Sequence, residues 1–210
     1  MSVTRLRSTL FLLMFALAGA AYGRGTTPKE LVVNLKFKPQ EGVHSSTANI
    51  PPSMLEKSVA IHVVEKRNES DAKVIGQGTG GDDKTFPIKA AADIKPFIDE
   101  TLESVAKSFG LKVNEKGGDR TLVVTVTRFF IEEGNKALGS VYSSEVKLAY
   151  TLKSSGGKTL TEGATTGSAH RYGRAHSEQN INEVLSDALK EAFANVLDDS
   201  KLQDAWAGKK

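Results

Sequence analysis

Residues 121–131 read TLVVTVTRFFI, a stretch of β-branched and aromatic residues without glycine or proline. This composition predicts a β-strand. Side chains of a strand alternate between the two faces of a sheet, so the stretch divides into two sets. The first set consists of Leu122, Val124, Val126, Arg128 and Phe130. We expect it to face a helix-covered core, whereas the other set ends in two large apolar residues, Phe129 and Ile131.

The two residues Phe129 and Ile131 need either cover or a partner. The segment 39–57 or the tail that carries Trp206 covers them, or they are exposed. An exposed apolar patch of more than a few hundred Å² usually marks an interaction site. We therefore predict a candidate partner surface at Phe129, Ile131 and Trp206, with cover as an equal alternative.

Two amphipathic helices accompany this strand. Apolar residues recur at spacings of three and four from Ile94 to Phe109 and from Ile181 to Leu197, which predicts one buried stripe on each helix. We expect Asp93 to cap the first helix. Asn180 and Glu183 have capping-box spacing, which predicts the beginning of the second helix.

Shorter alternating stretches predict the remaining strands. They lie at 31–37, 59–63, 74–75, 111–113, 142–152 and 158–172. The residues SSGG at 154–157 predict a turn that joins the last two strands in a hairpin. Each helix stripe needs a surface to bury against. The sequence therefore predicts an α+β fold with an antiparallel or mixed sheet of about five to seven strands and two amphipathic helices packed on one face.

The N-terminus has the order of a secretory signal peptide. Two arginines precede the apolar run Leu10–Ala21, and small residues follow it. The run is shorter than the ~20 residues of a transmembrane helix. We expect cleavage between Gly23 and Arg24, with Ala20 as the second choice, and a mature protein in the periplasm or secreted. The chain then divides into a signal peptide at 1–23, an N-terminal strand and irregular arm at 24–57, and an α+β domain at 58–210.

The composition excludes several classes of function. The chain contains no cysteine, which excludes disulfides, thiol catalysis and cysteine-ligated metals. Its formal net charge of +3 falls to +1 once the signal and its two arginines are removed. Because the remaining charges are mixed in sign, we expect no nucleic-acid partner. No segment after the signal is apolar enough to span a membrane.

No motif predicts a catalytic residue, a metal or a cofactor. Residues 76–81, GQGTGG, are similar to a dinucleotide fingerprint, but two aspartates follow and no helix begins there, so we expect a hairpin or edge loop. The neighbours Glu132 and Glu133 would point to opposite faces, so we expect a solvated strand end. The chain has four histidines, namely His44, His62, His170 and His176. They have neither the spacing of a zinc site nor a third ligand nearby in the sequence.

Five segments of the chain follow the order of one known family. They are SVAIHVV at 58–64, VAKSFGLKV at 105–113, TLVVTV at 121–126, the hairpin at Gly156–Gly157 and the final helix. In these segments the chain resembles the YajG-like lipoproteins of Gram-negative envelopes. The resemblance implies a periplasmic α+β domain without enzymatic activity, often tethered to a membrane. This chain departs from the family at Ala20, which stands where a lipobox has its cysteine, so we expect no lipid anchor.

The leading hypothesis is a non-catalytic envelope accessory protein with an assembly, transport-auxiliary or surface-binding role. Its partner would be an unknown envelope protein or a second copy of the chain. The alternative is a binding module for a small or lipidic ligand, in a groove between the helices and the sheet. An enzyme ranks third, because it would need a convergent cluster of buried titratable groups in a cleft.

Overall fold

The computed structural model describes residues 27–40, 48–114 and 117–208. Within these ranges the chain forms eight strands and four helices, so the α+β class is confirmed. None of these helices is long and apolar enough to cross a membrane. The strands are β1 (Leu31–Val33), β2 (Ser58–Glu65), β3 (Val74–Thr79), β4 (Thr85–Ala90), β5 (Lys112–Val113), β6 (Arg120–Lys136), β7 (Gly139–Ser154) and β8 (Thr159–Gly173). The helices are α1 (Pro52–Leu55), α2 (Ile94–Ser108), α3 (Glu178–Asp198) and α4 (Ser200–Ala207).

The number of elements exceeds the prediction of five to seven strands and two helices. Strand β4 was missed because Pro87 disguises an otherwise alternating pattern, and α1 and α4 are too short to show a periodic stripe. The glycine-rich stretch belongs to a hairpin, which was one of its two predicted alternatives, because Gly76 and Gly78 lie in β3 and β3 pairs antiparallel with β4. A Cβ on Gly76 would meet the carbonyl oxygen of Ile131 at 2.1 Å, so glycine permits the close approach of two strands.

All eight strands belong to one mixed sheet in which β6 is central. One edge of β6 pairs antiparallel with β7 over its whole length. Its other edge pairs parallel with β2 near the start and parallel with β3 near the end. The sheet continues from β3 through β4 to β1, from β2 to β5, and from β7 to β8. Strand β1 is parallel to β4 and forms one edge of the sheet.

A β-bulge in β6 decides which residues face the core. The pairing of β6 with β7 shifts between Val126 and Arg128, so Thr127 is an extra residue. One extra residue inverts the alternation of side chains that follow it. Consequently Phe129 and Ile131 lie on the same buried face as Val126, and Arg128 is turned away from it. The expectation that Arg128 and Phe130 face the core with Val126 is therefore wrong.

Helices α2 and α3 pack on this buried face. Helix α2 lies over β2 and β5, and α3 lies mainly over β7 and β8. The ring of Phe97 on α2 packs against Phe129, with 6.1 Å between the ring centroids. Ser177 caps α3 by accepting a hydrogen bond from the N–H of Asn180, and Asp93 makes no capping bond. Asp93 thus occupies the predicted N-cap position of α2 without the capping bond, whereas the predicted start of α3 at Asn180 is wrong, because α3 begins before the first apolar residue of its stripe.

Small residues of β8 bring this strand close to α3. A Cβ on Gly167 would lie 2.1 Å from the carbonyl oxygen of Ala188 and 2.3 Å from the nitrogen of Ala192. The hydroxyl of Thr165 donates to the carbonyl oxygen of Ala192 at 2.8 Å. The backbone of α3 therefore rests directly on β8, and a side chain at Gly167 would separate them.

Candidate functional site

After β1 the chain continues as an extended segment, residues 34–40, which we call the strap. Three polar side chains of α3 accept hydrogen bonds from every second N–H group of the strap. The pairs are Lys36 N with Asn182 Oδ1 at 2.9 Å, Lys38 N with Ser186 Oγ at 2.9 Å, and Gln40 N with Asp187 Oδ1 at 3.0 Å. Alternate N–H groups of an extended chain point to opposite sides. One edge of the strap is thus bound along α3.

The opposite edge of the strap borders a groove, whose second wall is one face of α2. The groove has a volume of about 760 Å³, within the range of roughly 300–1,000 Å³ that is typical of ligand sites. Apolar side chains from both walls line it. They are Leu35 and Phe37 on the strap, Pro96 and Phe97 on α2, and Ala91 and Ala92 at one end.

The groove exists because β4 ends at Ala90, whereas the extended chain beside it continues past β1 as the strap. The parallel pairing of β1 with β4 ends at Val33 and Ala90, and the N–H of Ala91 still donates to the carbonyl oxygen of Val33 at 2.8 Å. Beyond this point the chain turns into α2, whereas the strap runs on. The groove therefore occupies the position beside the strap that a longer β4 would fill.

One polar atom is buried in the wall of the groove. Thr101 of α2 lines the groove and is only 2% exposed. Its Oγ1 has no hydrogen-bond partner among the residues that the structure describes. A buried hydroxyl without a partner costs about 1–3 kcal/mol. Because the oxygen atom itself is buried, a bound molecule could reach this hydroxyl only if the side chain or its surroundings moved.

The two walls of the groove carry opposite charges at their exposed borders. Asp93 and Glu100 lie two turns apart on the α2 side, and Lys36 lies on the strap side. All three side chains belong to exposed residues. None of them forms an ion pair within the described ranges. A ligand in the groove would therefore meet carboxylates along α2 and one ammonium group along the strap.

A second polar cluster surrounds Glu133, whose side chain is fully buried. Its Oε1 accepts hydrogen bonds from Ser140 Oγ at 2.9 Å and from the N–H of His176 at 2.7 Å. Tyr142 places its hydroxyl 3.2 Å from the same oxygen and donates to the carbonyl oxygen of Arg174 at 2.6 Å. The predicted solvated strand end is wrong for Glu133, because the bulge places this residue on the buried face.

The Glu133 cluster fastens the turn before α3 to strands β6 and β7. His176 has a φ of 54°, in the left-handed region that residues other than glycine rarely adopt, and its N–H bond to Glu133 holds it there. Burial raises the pKa of the Tyr142 hydroxyl to about 12, so this hydroxyl keeps its proton. Because the donors to Glu133 come from the chain itself, the arrangement stabilises a turn.

The residues of the predicted partner surface are all core residues. Phe129 is 1% exposed, and Ile131 and Trp206 are 0% exposed. The bulge turns Phe129 toward α2, where the ring of Phe97 packs against it. These three residues therefore do not form an exposed patch. Of the two predicted alternatives, cover and exposure, the structure shows cover.

The remaining predicted positions divide between described and undescribed parts of the chain. The cleavage site at Gly23 and Arg24 and the lipobox position Ala20 lie outside the described residues. His62 and His170 are exposed on the sheet. In the described ranges, no three His, Cys, Asp or Glu residues are grouped so that they could hold a metal ion.

Sequence reasoning missed the strap and the buried hydroxyl of the groove. The signal for Thr101 is a polar residue at a position of the apolar stripe, three residues after Ile98 and four before Val105. The signal for the strap is the alternation of 31–37, which continues beyond the end of its partner strand. Neither signal reveals a groove by itself, because the length of β4 decides whether a groove forms.

Residues 46–206 match a family model described as an uncharacterized lipoprotein. The chain belongs to this lipoprotein family. Comparison with curated proteins finds no match. The match covers most of the sequence, including α2, α3 and the sheet between them, but it begins after the strap.

Several solved bacterial structures resemble the fold at low sequence identity. A Xanthomonas campestris protein is 10% identical, with a TM-score of 0.45, over 85% of this chain and 96% of that one. A PelC dodecamer from Paraburkholderia phytofirmans is 14% identical, with a TM-score of 0.34, over 70% and 86%. A minor lipoprotein from Acinetobacter baumannii is 10% identical, with a TM-score of 0.34, over 71% and 92%. These similarities carry no argument about function.

Proposed function

We propose that this chain is a non-catalytic accessory protein of the bacterial envelope that holds another molecule in the groove between the strap and α2. The observation that carries the proposal is the groove itself, with its volume of about 760 Å³, its apolar walls and the unpaired hydroxyl of Thr101. Ligand sites typically combine such apolar walls with a few polar groups. Membership of a lipoprotein family supports the location in the envelope.

The finer parts of the proposal come from the sequence. The likeness to YajG-like lipoproteins and the signal peptide both favour a periplasmic protein. The chain contains no cysteine, so it has no thiol to carry a lipid. We therefore propose a form without a lipid anchor, free to carry or contact its ligand away from the membrane.

A small or lipidic ligand is the second candidate, and the apolar lining favours it. Leu35, Phe37 and Phe97 could enclose a hydrocarbon chain. Catalysis has weaker support in the described residues. The buried carboxylate of Glu133 is already surrounded by donors that shape a turn, so a substrate would first have to displace them.

A groove-filling substitution tests the proposal. Ser104 is an exposed residue of α2 that lines the groove, and Ser104→Trp should occupy it. Lys107→Trp is the matched control, because Lys107 is exposed on the same helix and does not line the groove. The probe is the neutral fluorophore N-phenyl-1-naphthylamine, whose fluorescence rises in apolar surroundings.

We expect the wild type and Lys107→Trp to bind the probe alike, and Ser104→Trp to bind it at least about tenfold more weakly, a loss of roughly 1.4 kcal/mol. Circular dichroism checks that all three proteins are folded. Native mass spectrometry of the protein from its own cells then shows whether a molecule is retained by the wild type and lost from Ser104→Trp. Equal binding of the probe by both variants would contradict the groove as a binding site.

A further inference from the structure

We propose that the occupant of the groove is an extended peptide segment of a partner protein, added as a strand beside the strap. This inference rests on the proposed function and deepens it by naming the class of ligand. It follows from three properties of the groove, namely its unpaired backbone edge, its length and the charges along its α2 wall.

The backbone edge is the deciding property. The N–H groups of Lys36 and Lys38 point to α3, so those of Leu35 and Phe37 point the other way, toward the groove. The backbone of Val33, two residues before Leu35, also points to the groove side, because its carbonyl oxygen accepts a hydrogen bond from the N–H of Ala91 there. Within the described residues, no hydrogen bond reaches the backbone of Leu35 or Phe37.

An unpaired edge of this kind is a template for another extended chain. Strand addition supplies hydrogen bonds from the main chain, and neighbouring pockets take alternate side chains. Leu35 and Phe37 offer an N–H and a carbonyl each, in register with the last bond that β4 makes. A hydrocarbon chain would fill the apolar walls but would leave these four polar groups unpaired.

The length of the groove fits a short segment. Its α2 wall runs from Asp93 to Ser104. At a rise of about 1.5 Å per helical residue, this wall is roughly 16 Å long. An extended chain advances about 3.3 Å per residue, so about five residues fit. Two of them would pair with Leu35 and Phe37.

The side chains and charges of the groove define the sequence of the segment. One alternating set of its side chains would face the apolar wall that contains Phe97, so this set is apolar. The other set would pass the exposed carboxylates of Asp93 and Glu100 on α2, neither of which has an ion-pair partner in the described ranges. The borders of the groove carry these two carboxylates against the one ammonium group of Lys36, so their net negative charge favours basic residues at these positions. We therefore infer a segment in which apolar and basic residues alternate.

The test uses a synthetic peptide with this pattern, acetyl-(Lys-Val)₃-Lys-amide, and amide hydrogen exchange of the whole protein observed by NMR. At a free peptide concentration of 100 times Kd, exchange at Leu35 and Phe37 should slow by about 100-fold. Exchange at Lys36, whose N–H is already bonded to Asn182, should not change.

Two N-methylated peptides provide a ligand control that leaves the side chains unchanged. One carries methyl groups on the backbone amide nitrogens of its lysines, and the other carries them on the backbone amide nitrogens of its valines. Because only one alternating set of N–H groups faces the strap, one peptide should bind at least about tenfold more weakly and the other should bind like its parent. Equal binding of both would overturn strand addition.

Laurate is the lipidic probe, and Ser104→Trp with Lys107→Trp again provides the protein control. Peptide binding that slows exchange at Leu35 and Phe37, and that only Ser104→Trp abolishes, supports the inference. Laurate binding in the groove without peptide binding overturns strand addition and leaves the proposed function standing. Failure of both probes to bind overturns both. Peptide binding with unchanged exchange at Leu35 and Phe37 also overturns the inference.

Discussion

Replacing Gly167 by alanine measures how closely α3 approaches β8. The added Cβ would lie 2.1 Å from the carbonyl oxygen of Ala188 and 2.3 Å from the nitrogen of Ala192. Both atoms belong to the backbone of a helix of 21 residues, so neither can rotate away. The helix or the strand must move by roughly 1 Å or more to restore ordinary non-bonded contact.

The sign of the effect depends on this contact alone. In an unobstructed strand, alanine is more stable than glycine by about 0.5–1 kcal/mol, because glycine loses more conformational freedom on folding. Overpacking a close-packed core costs about 1–3 kcal/mol. Since the obstructing atoms are helix backbone, the cost outweighs the gain. We expect Gly167→Ala to lower the free energy of unfolding by about 2 kcal/mol.

Urea unfolding followed by circular dichroism provides the measurement. Gly156→Ala is the control from the turn of the same hairpin, because its Cβ would have Ser154 Oγ at 3.9 Å as its nearest neighbour. We expect this control to stay within about 0.5 kcal/mol of the wild type. If Gly167→Ala were as stable as the control, the helix could not lie against the backbone of β8, and the reasoning would fail.

Three other measurements address the Glu133 cluster and the N-terminal region. Glu133→Ala leaves the N–H of His176 without its acceptor and should lower the free energy of unfolding, measured in urea, by about 3 kcal/mol. Glu132 is exposed, so Glu132→Ala should change the free energy of unfolding by less than about 0.5 kcal/mol. Similar losses in the two variants would contradict the assigned role of Glu133. The pKa of Tyr142 is raised from 10.0 to about 12, so its share of stability is complete below pH 10 and is lost as the pH rises toward 12. Tyr142→Phe should remove that part of the decline in unfolding titrations, and an unchanged decline would exclude Tyr142 as its cause. Labelled palmitate should not enter the wild type but should enter Ala20→Cys, and label on the wild type would show another route of lipidation.

The parts of the fold that the sequence predicted are those with a long local pattern. The helices near 94–109 and 181–197 and the hairpin of β7 and β8 follow from periodicity alone. The bulge could not be predicted, because TLVVTVTRFFI has no glycine or proline to mark Thr127 as the extra residue. That one residue decides the burial of Phe129, Ile131 and Glu133. It therefore selects cover over exposure for the first two and overturns the solvated strand end predicted for Glu133.

The candidate site could not be predicted from local sequence patterns, for a different reason. A groove between helices and sheet was anticipated only in general terms. Its walls depend on where β4 stops relative to β1, and on three side chains of α3 that bind the strap. Such contacts join segments far apart in the chain, and no periodicity in either segment records them.

The binding of the strap to α3 has a consequence for the order in which the chain matures. The bonded positions are 146 to 148 residues apart, so the strap leaves the ribosome long before its helix exists. At about 5–20 residues per second, the delay is roughly 7–30 s. One wall of the groove is therefore completed only when synthesis is nearly over. A nascent chain, or one truncated before α3, would lack the three side chains that hold the strap, so this wall of the groove would not be fixed in place.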